Sequence, residues 1–113
     1  MPSFEFSGKV IETDDEGYLQ NLDDWNKEVA EYLAKTEGIT LTEKHRELID
    51  WVRDYFQKFQ VAPAIKSLIK EVGKLENIED KKEANKFVYE LFPEGPAKQL
   101  AKIAGLPKPT GCV

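Results

Sequence analysis

Apolar and polar positions alternate at the start of the chain, in Phe4-Glu5-Phe6, and the apolar pairs Val10-Ile11 and Tyr18-Leu19 flank the polar run Asp14-Asp15-Glu16-Gly17. A period of two around a turn predicts a short β-hairpin over residues 3–20, with Gly17 supplying the positive φ of a tight turn. Beyond it the period becomes helical. Leu22, Trp25, Val29, Tyr32 and Leu33 predict a first helix, with Asp23 as N-cap and Gly38 as its stop. Thr42 is the expected cap of a long second helix, whose apolar face is Leu48, Ile49, Val52, Tyr55, Phe56 and Phe59. Pro63 suits the first turn of a third helix that buries Ile65, Leu68, Ile69 and Val72 and ends near Gly73. The polar stretch from Glu76 to Lys82 reads as a loop. Asp80 and Glu83 have capping-box spacing for a fourth helix carrying Ala84, Phe87, Val88 and Leu91 inward. Pro93, Gly95 and Pro96 break it, and Pro96 opens a short fifth helix through Leu100 and Ile103, stopped by Gly105. The pattern predicts a mainly α fold: an orthogonal bundle of about five helices with a small N-terminal β-hairpin.

The last eight residues, Leu106-Pro107-Lys108-Pro109-Thr110-Gly111-Cys112-Val113, cannot continue a helix. Each proline removes a donor and pushes the preceding residue toward extended geometry. At a polyproline rise of roughly 3.1 Å per residue, the segment could carry Cys112 on the order of 20–25 Å from Gly105. Pro107 and Pro109 stiffen it, and Gly105 and Gly111 are its hinges. The expected organisation is one helical domain over residues 1–105 and a flexible arm over 106–113.

Composition narrows the function classes. Apolar residues make up 41% of 113, enough for one core, and charged residues 33%. No apolar run approaches the roughly 20 residues of a membrane span, and the N-terminus resembles no secretory leader, so the expected location is the cytoplasm. Residues 1–50 hold 13 acids and 5 bases, whereas residues 51–113 hold 8 acids and 11 bases. The acidic first half speaks against direct nucleic-acid binding by the whole surface. The basic second half could meet an acidic partner or steer an anion, but charge alone favours an ordinary solvated surface.

One cysteine and one histidine leave no intramolecular disulfide and no usual zinc ligand set, and no cofactor or metal is implied. Cys112 is the candidate reactive residue. A thiolate near a chain end can take a sulfur atom from a donor persulfide and pass it on by the same exchange. The neighbouring α-carboxylate of Val113 disfavours the thiolate. Lys108 favours it, as would Lys66, Lys98 or Lys102 if the arm folds back. The residues alone leave a second reading open, in which Cys112 is a leftover in a tail. An apolar, proline-stiffened tail is nevertheless unlike a Gly/Ser-rich spacer.

The run Gly95 to Val113, GPAKQLAKIAGLPKPTGCV, resembles the C-terminus of the DsrC/TusE family, also called the gamma subunit of dissimilatory sulfite reductase. Asp15 to Leu19 (DEGYL), Trp25, Leu41 to His45 (LTEKH), Ala62 to Lys66 (APAIK) and Tyr89 to Pro93 (YELFP) extend the likeness over nearly the whole chain. The resemblance implies a helical domain with a hairpin and a C-terminal arm, and it matches Cys112 to the family's penultimate cysteine. In relay members that cysteine receives sulfur from an upstream sulfurtransferase and delivers it to the enzyme that 2-thiolates uridine in tRNA. In dissimilatory members it reaches into sulfite reductase. The implied partners are therefore an upstream sulfurtransferase and a downstream acceptor, with the chain itself expected to be a monomer.

The chain departs from the family in places. Ala101 stands where dissimilatory members carry a second cysteine, so a two-cysteine redox cycle is ruled out for this sequence. Arg46 stands where the family often has Trp, and Lys66 where it often has Arg, which keeps the charge but loses the planar fork. The stretch Gly73 to Asn85 resembles the dissimilatory insert. His45, in the first turn of a helix, reads as a structural histidine, and Trp25, Trp51, Tyr55 and Phe59 read as core. A docking or regulatory subunit, or a helical DNA-binding module, with an incidental thiol is the alternative to a persulfide carrier.

Overall fold

In the computed structural model, residues 3–108 are described. Strands β1 (Ser3–Phe6) and β2 (Lys9–Glu12) pair antiparallel with Phe4 opposite Ile11 and Phe6 opposite Lys9. The connection is not at Asp14–Gly17. Ser7 and Gly8 make it, with φ of 51° and 79°, the left-handed pair whose twist suits a two-residue hairpin. Asp14–Gly17 forms a second tight turn, closed by the bridge between Thr13 and Leu19. Phe4 and Phe6 lie on one face and both meet Tyr32, at ring-centroid distances of 4.4 and 6.0 Å.

Among the described residues five α-helices follow: α1 (Lys27–Thr36), α2 (Glu43–Phe59), α3 (Ile65–Leu75), α4 (Lys81–Leu91) and α5 (Pro96–Ile103). No helix is long and apolar enough to cross a membrane among these residues. Asp23 is not the cap of the first helix. It sits in a 3-10 turn over Leu22–Asp24, and Asn26 caps α1 by accepting from the Val29 N–H at 2.8 Å. Trp25 is therefore in extended backbone before the helix, which frees its indole to reach elsewhere. Pro63 likewise precedes the cap residue Ala64 instead of sitting in the first turn of α3. Gly73 lies inside α3, where a Cβ would stand 3.0 Å from Ile78 O, and Asn77 (φ 55°) makes the reversal after Leu75. Asp80 caps α4 by accepting from the Lys82 N–H at 2.9 Å.

Thr42 opens α2 as expected, and its partner is His45. The Thr42 N–H donates to Nδ1 at 3.0 Å, and Nε2 lies 2.9 Å from Leu91 O. An amide can only donate and a carbonyl can only accept, so these partners assign the ring hydrogen to Nε2. His45 is 5% exposed and edge-on to Phe92 at 5.1 Å, so it fastens the start of α2 to the end of α4. Arg46 pairs across to Glu31 of α1 at 2.7 Å.

The short α5 is the hub. It packs against each of the other four helices, and Pro96, Ala97, Gln99, Leu100, Ala101 and Ile103 are all buried. The core gathers around it from Ile11, Leu19, Val29, Leu33, Leu48, Val52, Leu68, Val72, Val88 and Phe92. Phe59 is a correction to the expected inner face of α2. It is 59% exposed at the last turn and ends a row of rings that starts at Trp51, half-buried against the core, with Trp51 to Tyr55 at 5.6 Å and Tyr55 to Phe59 at 4.6 Å.

Candidate functional site

Cys112 lies outside the described residues, as do Pro109 and Gly111 of the expected arm. The structure describes the root from which that segment departs. Gly105 N–H donates to Lys102 O at 3.1 Å and Leu106 N–H to Ala101 O at 2.9 Å, while Gly105 takes φ 76°. This is a Schellman ending, and its apolar companion is Leu106. Leu106 is 2% exposed and part of the main core, so the first exposed residue of the segment is Pro107.

The two carbonyls that the helix end leaves over are taken by side chains from distant elements. Trp25 Nε1 donates to Ile103 O at 2.8 Å, and Arg53 Nη1 donates to Ala104 O at 2.6 Å. The guanidinium carbon stands 4.0 Å from the Trp25 ring centroid, a cation–π geometry. A Cβ on Gly105 would lie 2.5 Å from Trp25 Cδ1, so only glycine fits beneath the indole. Burial pulls the Arg53 guanidinium below its ordinary range, against the opposing fields of Asp23 and Asp50, and it stays charged.

A second set of contacts ties α5 to the Asp14–Gly17 turn. Asp14 Oδ1 accepts from the Glu16 and Tyr18 N–H groups at 2.9 and 3.0 Å. The Lys102 stem crosses Gly17, where a Cβ would be 2.7 Å from Cε, and Nζ ends 2.7 Å from Glu37 Oε2. The other Glu37 oxygen accepts from Gln99 Nε2 at 3.2 Å, and Gln99 Oε1 accepts from Glu94 N–H at 3.0 Å. Burial alone would raise the Glu37 carboxyl, but the hydrogen bonds from Lys102 and Gln99 and the Lys102 charge outweigh it and hold it below its usual range. Tyr18, 4% exposed, points its hydroxyl at Lys98 O at 3.4 Å. Burial first, and then the carboxylates of Glu16, Asp14 and Glu37, push its pKa up to about 12.

The four candidate lysines thus part ways. Lys102 is committed to Glu37, and Lys108 pairs with Glu16 at 2.7 Å, so both converge on the same turn. Both partners of the Lys108 pair are well exposed, and solvent and salt screen it. Its hydrogen bond to Glu16 raises the Lys108 pKa. Lys98 is half-buried on α5, and Lys66 is exposed in the first turn of α3 with no ion-pair partner among the described residues. Arg53 and Glu37 escaped the sequence reading. Arg53 had one signal: it falls four residues after Ile49 and three before Phe56, on the rim of the apolar stripe. Ala101 is 1% exposed within α5, packed in the core.

A hairpin, a hub helix and a terminal segment rooted in that helix define a class of small helical proteins, and the chain belongs to the DsrC-like protein family, whose model matches residues 5–113. It is 48% identical over 109 residues to the sulfurtransferase TusE of Yersinia pseudotuberculosis, covering 96% of this chain and 99% of that protein. Its structure is similar to that of DsrC from Allochromatium vinosum (TM-score 0.83, 48% identity, covering 98% and 97% of the two chains). It is equally similar to the oxidized gamma-subunit of the dissimilatory sulfite reductase, DsrC, from Archaeoglobus fulgidus (TM-score 0.83, 46% identity, covering 99% and 100%).

Proposed function

We propose that this chain is a sulfur carrier that holds persulfide sulfur on Cys112 and hands it from an upstream sulfurtransferase to a downstream acceptor. The acceptor is a tRNA thiolase in a 2-thiouridine-type relay, or a dissimilatory sulfite reductase. The observation that carries the reading is full-length similarity to a sulfurtransferase, together with a lone cysteine near the end of a segment rooted in the hub helix. The Cys112 thiolate attacks the outer sulfur of a donor persulfide, R–S–SH. The donor S–S bond breaks as a new one forms, the donor leaves as the thiolate R–S⁻, and Cys112 becomes Cys–S–SH. No net oxidation or reduction occurs, so no cofactor is required, and an acceptor thiolate repeats the exchange in the forward direction. One cysteine suffices, consistent with Ala101 where a second would stand.

A carrier thiol must stay reduced, so the reading places the chain in the cytoplasm, acting as a monomer between partners. The likeness to a sulfite reductase gamma-subunit supports a second reading, a docking subunit whose thiol is incidental. Mass spectrometry after incubation with a persulfide-loaded sulfurtransferase is expected to show a gain of about 32 Da on Cys112, one sulfur atom. The gain should be absent in Cys112→Ser. If the wild type gains nothing from any competent donor while Cys112→Ser keeps full activity in the pathway, the docking reading replaces the carrier.

A further inference from the structure

The row of rings along α2 ends on the surface. Phe59 is 59% exposed and Val61, two residues on, 54%. Single exposed apolar side chains are ordinary, but here two of the most exposed among the described residues stand together at one corner, the turn from α2 into α3. The corner is well secured. Gln60 closes α2 in the left-handed conformation (φ 59°), its N–H donating to Phe56 O at 2.7 Å and its side-chain amide to Gln57 O at 3.1 Å. Pro63 is buried just beyond. Phe59 is therefore presented to solvent on a capped helix end, anchored on both sides.

Charge sets this corner apart from the rest of the chain. Residues 55–70 hold three lysines and no acid, whereas residues 3–24 hold seven acids and one lysine. Lys58 is paired with Asp54 at 3.1 Å, but Lys66 and Lys70, one turn apart on α3, are exposed with no ion-pair partner among the described residues. An apolar centre accompanied by unanswered cations is complementary to an apolar patch rimmed by carboxylates. A second copy is a poor match, because a two-fold contact through this corner sets its lysines against one another with no acid to face them. Phe59 and Val61 also cover only part of the roughly 800 Å² per side that a stable interface buries, which suits a partner that binds and leaves. Arg53, six residues before Phe59, donates to Ala104 O. The corner thus lies about 9 Å further along the same helix that borders the end of α5.

We propose that the corner between α2 and α3, with Phe59 and Val61 as its apolar centre and Lys66 and Lys70 as its cations, is the docking surface for the protein that supplies sulfur, which meets it with an apolar patch rimmed by carboxylates. The proposal rests on the carrier reading and adds to it the face on which the donor sits. The corner binds the donor and takes no part in the exchange of sulfur. A small donor, which has no such patch, bypasses it.

The test compares glutathione persulfide with a persulfide-loaded sulfurtransferase, both acting on the full chain. Phe59→Ser and the double substitution Lys66→Glu, Lys70→Glu alter exposed positions and leave the core intact. Loading from glutathione persulfide is expected within about twofold of wild type in both variants. With the protein donor, the concentration that half-saturates loading should rise about fivefold or more, while the rate at saturation stays within about twofold, the signature of weakened docking. Salt at about 0.5 M should bring the wild type level with the charge variant but leave its gap to Phe59→Ser. Unchanged half-saturation in both variants overturns the inference. So does an equal loss with both donors, which marks a general defect. Unchanged loading together with a wild-type dimer that Phe59→Ser dissociates would give the corner to a second copy, and unchanged loading together with tRNA binding that the charge variant loses would give it to nucleic acid; either overturns the inference. If the wild type loads from neither donor, the carrier reading itself has failed, and the docking role goes with it.

Discussion

The Trp25 indole lies so close over Gly105 that a single added methyl would sit 2.7 Å from its Cγ. Residues 80 positions apart in sequence therefore share one van der Waals surface, with the indole N–H held by Ile103 O. Gly105→Ala should consequently cost about 2–4 kcal/mol, combining a left-handed backbone penalty with displacement of the indole and loss of its part-buried hydrogen bond. Gly38 supplies the control. It has φ 71° but nothing within 4 Å of a Cβ, so Gly38→Ala should cost only the backbone share, about 1–2 kcal/mol. Urea unfolding of both variants measures the difference; equal costs would show that the indole moves aside freely.

Leu106 and Pro107 mark the edge between core and surface. Leu106→Ala removes a side chain that is 2% exposed and should destabilise by about 2–5 kcal/mol. Pro107 is exposed, so Pro107→Ala should change stability by no more than about 0.5 kcal/mol. Thermal denaturation separates the two, and a Leu106→Ala midpoint matching wild type would move the boundary back to Gly105.

Glu37 makes the fold acid-sensitive. Its carboxyl is held below the ordinary value in the folded state by Lys102 and Gln99, so the folded form binds the proton less readily than the unfolded chain. Its stabilisation is present above the unfolded value and is lost as pH falls through the folded one. Glu37→Gln should be less stable near pH 7 yet lose less stability on going from about pH 5 to about pH 3. Denaturant midpoints at those pH values check the sign, and an unchanged acid slope would remove Glu37 from the account.

Tyr18 does the reverse at high pH. With its pKa pushed up to about 12 from 10.0, the folded state keeps the phenol proton where the unfolded chain has lost it. Stability is full below pH 10 and falls as pH rises from there toward 12, by about 2–3 kcal/mol in total from this group. Tyr18→Phe should abolish that share of the alkaline loss. Comparing wild type and variant by urea titration near pH 8 and near pH 11 isolates it, because the lysines titrate alike in both.

Much of the architecture was legible from periodicity, since an apolar stripe at helical spacing has one sensible place to go. Thr42, Asp80 and Pro96 marked true helix starts because capping and proline geometry act within a few residues. Local signals misled at the first helix. Asp23 was the expected cap, but Asn26 takes that place, which leaves Trp25 in extended backbone before α1 with its indole on Ile103 O. The hairpin turn passed to Ser7-Gly8 because the pairing of Phe4 with Ile11 aligns the apolar face on Tyr32.

By itself the sequence determined the apolar stripes of the helices, the two prolines that follow Gly105 and the single thiol, all of which are read along the chain. The tertiary structure alone decided that Arg53 and Trp25 hold the end of α5, and that Lys102 answers to Glu37 and is no free cation. These contacts join residues 51 to 78 positions apart, and no periodicity records a partner at that separation. Only the packing of α5 among the other four helices brings them within hydrogen-bond reach.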